Sequence, residues 1–368
     1  MPIFMDLHIV PGDNAKDVAD AHSMDVLMEK EHNCKCLTYW IDELRGHVFC
    51  LIDAPDKESV LELHNRAHGL APHKIIEVEP GLVHSFLGRI TDPENAQLTE
   101  NGLIILDDTS FRVLMSMKIT DPALLHELYP AEEVKQITNL FFETACTELL
   151  RQNGREVQKE ANLLVASFVS GEKAVTTALA VQEQLKELNQ LGLCISIHAG
   201  EPVMQTDRLF GDTLQMLKQM IFLKREKSIR ITTGVKELLS AGMLLNLGAQ
   251  VLVLSPEEEA FLNLLFQTLQ QHYNDETFDI DSCCTSMAMS KSQLYRKTVT
   301  LCGISPNNLL REYRLEKAAE LIRTSNRSLS QISFDTGFAS ASYFTKCFKQ
   351  RFGVLPMNYL QNHQQAGA

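Results

Sequence analysis

"FDTGFASASYFTKCFKQRFG", residues Phe334–Gly353, decides how this chain is read. Its spacing predicts the end of a short helix, a turn through "GFAS", and a second helix capped by Ser340 and closed by Gly353. Ile332, Phe338, Phe344, Cys347 and Phe348 recur on one side and form the inner face. Ser342, Thr345, Lys346 and Lys349 are left for the outside. Small polar residues at the start of such a helix can read base edges in a major groove, and lysines further along can pair with phosphates. The same spacing also suits a plain helical bundle with a solvated basic side.

Working outward, the helix before the turn is "SLSQISFDTG", with Ser328 or Ser330 as its cap. A similar unit lies upstream: "IDSCCTSMA" as a helix, "MAMS" as a turn, and "SKSQLYRKTVTLCG" as a second helix begun by Ser290. Between the two units "SPNNLLREYRLEKAAELIRTS" is one longer helix. Its Leu310, Tyr313, Leu315, Ala318, Leu321 and Ile322 are spaced to pack against both. From Ala318 to Tyr359 the run "AAELI", "DTGFASASYFTKCFKQRFG", "PMNY" closely resembles the signature of AraC/XylS-family DNA-binding domains, and "MAMSKSQLYRK" resembles their first unit. The resemblance covers residues 275 to 362. It implies double-stranded promoter DNA as partner, with both recognition helices in neighbouring major-groove segments. Residue by residue it lands on Ser290, Lys291, Ser292, Gln293, Tyr295 and Arg296, and on Ser340, Ala341, Ser342, Tyr343, Thr345, Lys346 and Lys349. Ser333, Ala288 and Leu360 depart from the usual alanine, glycine and arginine, all at packing or turn positions.

The chain has 368 residues, enough for two or three domains, with 45% hydrophobic and 22% charged residues. No apolar run is long enough for a membrane span, and the apolar N-terminal stretch is broken by Asp6 and His8, unlike a secretory signal. Nine cysteines without framework spacing suit free thiols in a reducing cytoplasm. Cys34-x-Cys36 leaves a metal or redox pair open as a minor reading. The net charge is -13, unevenly spread. From Asp275 onward 11 Lys+Arg face 8 Asp+Glu, a net of +3, so the remainder carries -16. An acidic body with a mildly basic tail fits a tail that approaches a polyanion.

Residues 1–90 alternate as β-α-β-β-α-β, a ferredoxin-like order. Period-two alternation assigns Met5, Leu7 and Ile9, with Val48, Cys50 and Ile52, to the face under the helices. Phe4, Asp6, His8, Thr38, Trp40, His47 and Phe49 then form an open face, expected to be a dimer surface or pocket wall. Eight of the twelve histidines lie in residues 1–84. His64 and His68 are four apart on one helical face, a chelating spacing, and with His8 they are the candidate metal ligands. "MDLHIVPG", "LTYWIDELRGHVFCLIDAP" and "HNRAHGLAPHKIIEV" resemble a family of small ferredoxin-like proteins, some of which bind nickel. That resemblance implies a transition metal such as nickel. Local hydrogen bonding, a dimer interface or another small ligand are the alternatives.

Residues 91–102 read as a linker and 103–255 as a second α/β unit, with "LIILDD" and "FRVLMSMKI" among its strands. "GREVQKEANLLVASF", "CISIHAGEP" and "FGDTLQMLKQM" resemble class III nucleotide cyclases. Such enzymes hold two metal ions on two aspartates. The matching positions carry Met117 and Asn162, and the later asparagine and arginine appear as Gln215 and Gln219. A thioether and neutral amides suit neither Mg²⁺ nor a developing phosphoryl charge. The expectation is therefore no catalytic residue and no enzyme. Residues 256–274 read as a connector helix, and 275–368 as the double helix–turn–helix.

Together these readings describe a multidomain α+β chain: a ferredoxin-like βαββαβ domain, a degenerate cyclase-like α/β domain, and an all-α double helix-turn-helix domain. The expected function is a cytoplasmic, homodimeric transcriptional regulator answering a metal or small-molecule effector. A cyclase with a non-standard active site and a metal-binding protein are the rival readings.

Overall fold

A computed structural model describes residues 1–93, 96–98, 103–106, 108–126, 129–188, 192–223, 229–248 and 250–366. The first unit runs β1 (Ile3–Ile9), α1 (Ala15–Met28), β2 (Lys35–Asp42), β3 (His47–Asp53), α2 (Lys57–Ala67) and β4 (Lys74–Val78). Its sheet has the order β2-β3-β1-β4, all antiparallel. Asn14 and Asp17 form a capping box for α1, and Asp56 caps α2.

The register corrects the expected face assignment. Phe4 pairs with Ile52, Asp6 with Cys50 and His8 with Val48, while Met5 pairs with Leu51 and Leu7 with Phe49. Paired residues share a face, so the expectation had combined the odd positions of β1 with the wrong phase of β3. Phe4, Val48, Cys50 and Ile52 pack with Val18, Ala19, Val60 and Leu63 of α1 and α2. Asp6 and His8 therefore lie beneath the helices, not on an open face.

The other face, with Met5, Leu7, Trp40, Phe49 and Leu51, is buried within the chain. That overturns its expected role as a dimer surface. It shares a core with Val83, Phe86 and Leu87 of α3 (Pro80–Leu87), a helix the sequence reading did not anticipate, although Pro80 at its start and left-handed Gly88 at its end are strong boundary signals. The Phe86 ring lies 4.7 Å from that of Phe210, and Ser167 Oγ donates to the Phe86 carbonyl at 2.8 Å. A short hairpin of β5 (Gln97–Leu98) and β6 (Ile104–Ile105) follows. Part of the expected linker lies outside the described residues. "LIILDD", expected in the second unit, instead packs on the first: Tyr39 OH donates to the Ile104 carbonyl at 2.9 Å and accepts from the Leu106 amide at 3.0 Å.

The central unit contains β7 (Arg112–Lys118), α4 (Pro122–Leu125), α5 (Ala131–Arg151), β8 (Arg155–Glu160), β9 (Leu163–Phe168), α6 (Gly171–Leu185), β10 (Cys194–Gly200), α7 (Gly211–Met220), β11 (Ile229–Ile231), α8 (Thr233–Glu237), α9 (Ala241–Asn246) and β12 (Val251–Val253). Its six strands run β12-β11-β10-β7-β9-β8. Phe141 and Leu149 of α5 and Ala174 and Val181 of α6 pack on one face against Met115, Met117, Ile195 and Ile197. The opposite face meets α3 and α7.

The rest is helical: α10 (Pro256–His272), α11 (Ile280–Ser286), α12 (Lys291–Cys302), α13 (Pro306–Thr324), α14 (Leu329–Asp335), α15 (Ala341–Phe352) and α16 (Pro356–Ala366). One apolar core runs from Trp40 and Phe49 through Phe86, Phe210 and Met216 to Phe266, Leu294 and Tyr313. It joins the first sheet to α12 and α13, and α10 is an integral part of it. A separate core holds Leu315, Ile322, Ile332, Phe338, Phe344, Phe348 and Tyr359. Among the described residues no helix is long and apolar enough to cross a membrane.

Candidate nucleic-acid interface and metal cluster

Each reading helix begins on a serine. The Ser290 side chain accepts from the Gln293 amide and Gln293 returns the bond, a capping box at the start of α12. Ser340 accepts from the Tyr343 amide at 3.2 Å and starts α15. Gly303 and Gly353 close the two helices in left-handed conformations. Apolar spacing turns Leu294 and Thr298 of α12, and Phe344, Cys347 and Phe348 of α15, into buried cores. Ser290, Lys291, Ser292, Gln293, Tyr295 and Arg296 are then exposed, as are Ser340, Ser342, Tyr343, Lys346 and Lys349, while Ala341 and Thr345 are half-buried. Lys291 pairs with Asp281 at 2.5 Å. Lys346 and Lys349 make no ion pair among the described residues.

The two turns differ in how they meet the left-handed region. Gly337 serves the second turn at φ 76°, whereas the first turn uses Ala288 at φ 49°. A Cβ in that region is strained. Ala288→Gly is expected to stabilise the protein by about 0.5–1 kcal/mol, net of the extra chain entropy glycine loses on folding. Denaturant midpoints of the two proteins check this.

In the first unit three imidazoles and two carboxylates converge under α1 and α2. His64, fully buried on α2, is 2.9 Å from Asp6 Oδ2 through Nε2 and 3.1 Å from Asp25 Oδ1 through Nδ1. His8 Nε2 lies 3.4 Å from Asp6 Oδ1, outside hydrogen-bonding geometry, and has no hydrogen-bond partner. His68 Nε2 is 3.2 Å from Asp25 Oδ1. Burial alone would raise the Asp6 carboxyl, but His64 and then His8 hold it far below the ordinary carboxylate range. Burial likewise opposes charge on His64, yet Asp6 and Asp25 push its pKa up to about 10. Without an ion the two carboxylates thus favour a protonated His64, and ligating a metal would require it to release a proton.

The three predicted histidines do come together. Their carboxylate partners divide them into two groups, Asp6–His8–His64 and Asp25–His64–His68, whose ligand atoms lie within 4.8 Å of one another. Sequence reading missed Asp25. The signal was present: Val18, His22 and Asp25 share the inward face of α1 at helical spacing, and an acid on an apolar stripe is unusual. These nitrogen and oxygen donors, with the unpartnered His8 nitrogen, fit a borderline divalent ion.

In the central unit Met117 is fully buried in the sheet core. The Asn162 side chain is spent on the Ile119 carbonyl at 3.0 Å. Gln219 is buried and Gln215 half-buried on α7.

Comparison with known proteins finds matches near both ends of the chain. The family described as a helix-turn-helix domain matches residues 283–362, and the family described as nickel responsive protein SCO4226-like matches residues 4–78. Histidine kinase P4 of Formosa agariphila is 30% identical over 114 residues, 31% of this chain and 8% of the kinase. The transcriptional activator RhaS of Escherichia coli O1:K1 is 28% identical over 158 residues, 42% of this chain and 56% of the activator. The chain thus spans only part of the length of these curated relatives. The solved SCO4226 structure from Streptomyces coelicolor A3(2) is 34% identical, covering 21% of this chain and 94% of that one, with a TM-score of 0.20. The protein is therefore a composite, whose last helices are matched by a helix-turn-helix domain family and whose first unit is similar to the nickel responsive SCO4226-like proteins.

Proposed function

We propose that this chain is a transcriptional regulator that binds promoter DNA through α12 and α15, acts as a homodimer, and answers a metal ion held by its first unit. The observation that carries the reading is the pair of serine-capped helices, each burying an apolar side and presenting polar and basic residues outward. In this reading Ser342 and Gln293 would read base edges, and Lys346 and Lys349 would pair with phosphates.

The metal would be held by His64 with His8 and Asp6, or with His68 and Asp25. When bound it would tie β1, α1 and α2 together. The core shared by the first sheet and α12 gives that change a physical route to the reader, and an ion favouring one arrangement would shift its population. The cluster also satisfies most of its charge without metal, so metal analysis of the purified protein decides between an ion site and a buried ion network.

The central unit is proposed to be non-catalytic. Methionine and an amide already used by the backbone stand at the positions read as metal aspartates. Cyclic nucleotide production from ATP or GTP with Mg²⁺ or Mn²⁺ would overturn this.

The DNA reading is tested with sequences selected from random or promoter DNA. Lys346→Ala with Lys349→Ala is expected to weaken binding across sequences and to reduce the steepness of log K against log salt by about 1.8, two phosphate contacts' worth. An unchanged slope, or no DNA retained by the wild type, would refute it.

A further inference from the structure

We infer that the corner between the end of β7 and the β8–β9 turn is a docking point for the second reading unit, with Asp121 as a positioning residue. The inference rests on the proposed DNA reading. The two reading units meet the body differently. The first shares one apolar core with α10, α7 and the first sheet. The second has its own core, to which the central unit adds Leu124 of α4. Among the described residues, the polar links from α13 and the second unit to the body gather at two places.

One place is the end of α10. Arg314 Nε donates to the Tyr273 carbonyl at 2.8 Å, and its other arm donates to the Asp275 carbonyl at 2.6 Å. The other place is the corner. The Ile119 amide donates to the Asn162 carbonyl at 3.0 Å, and Asn162 Nδ2 returns a bond to the Ile119 carbonyl at 3.0 Å. This clip fixes the chain just after β7. Lys118, before the clip, lies 3.5 Å from Glu316 Oε2 on α13. Asp121, after it, accepts from Tyr359 OH at 2.6 Å, and that oxygen accepts from Arg323 at 2.6 Å.

Arg314 and Arg323 are nine residues apart on one helix, about 13 Å along its axis. Leu309, Leu310 and Tyr313 already hold the first half of α13 in the shared core, so the second anchor fixes the far end of the helix, where the second unit is attached. None of the residues expected to touch DNA takes part in the corner contacts, so docking leaves both reading helices accessible. The corner therefore sets how the second helix is presented relative to the first. The Asn162 clip makes the β8–β9 turn the point from which the central unit can move it. The asparagine that departs from the cyclase pattern thereby acquires a use.

The test measures half-site spacing, which general loss of stability would not alter. Wild type, Asp121→Asn and Lys118→Gln are titrated with a selected DNA site and with versions carrying one or two base pairs inserted between the segments read by α12 and α15. Wild type is expected to lose at least tenfold affinity on insertion. Asp121→Asn is expected to shrink that penalty severalfold, and Lys118→Gln to shrink it less, with the salt dependence unchanged. Wild-type insertion penalties in both variants would overturn the inference. Failure of wild type to bind any selected DNA would instead strike the DNA reading itself. A Lys346→Ala, Lys349→Ala protein that binds weakly but keeps its spacing penalty separates phosphate contact from positioning.

Discussion

Gly337→Ala should cost about 2–4 kcal/mol of stability, whereas Gly353→Ala should cost about 1 kcal/mol, though both glycines are left-handed. Gly337 has φ 76° and Gly353 φ 78°, so the backbone penalty is shared. The surroundings differ. A Cβ at Gly337 would collide with the Tyr273 carbonyl oxygen and come within 2.8 Å of Arg314 Nε, whereas nothing lies within 4 Å of one at Gly353. The first substitution must push apart the α10 end and the second turn, which also breaks the Arg314 anchor. Denaturant unfolding of the two variants gives the comparison, and affinity for selected DNA should fall further for Gly337→Ala. Equal costs would mean that the contact between the second turn and Tyr273 does not form.

His64→Leu should destabilise the protein by about 3–5 kcal/mol, because it leaves two buried carboxylates without their shared cation. Asp6 is 1% exposed and Asp25 2%, so solvent cannot take the place of the imidazole. Adding Asp6→Asn to His64→Leu should recover part of the loss, since one of the stranded charges is then removed. On the proposed metal reading, isothermal titration with nickel should give binding to wild type and none to these variants, as His64 belongs to both candidate ligand groups. His64→Leu within about 1 kcal/mol of wild type would exclude a tightly coupled cluster.

Local pattern carried much of this protein. Ser290 and Ser340, the glycines after them, and the apolar spacing of Phe344, Cys347 and Phe348 are contained in short windows, because caps and helix faces depend on residues three or four apart. The order of elements in the first unit was legible for the same reason. Its faces were not: alternation shows that neighbours point opposite ways, but register decides which residues of β1 share a side with Val48 or Phe49. That one-residue phase moved His8 and Asp6 from an open surface into the buried cluster.

Asp25, 39 residues before its partner His64, could enter the cluster only when α1 and α2 packed side by side. Asp121 and Tyr359 are 238 residues apart, and nothing near either predicts that they meet. Class of element, helix ends and the exposed faces of α12 and α15 were thus determined by short-range stereochemistry. Which buried charges neutralise each other, and where the second reading unit sits on the body, depend on long-range packing, whose energies no local window contains.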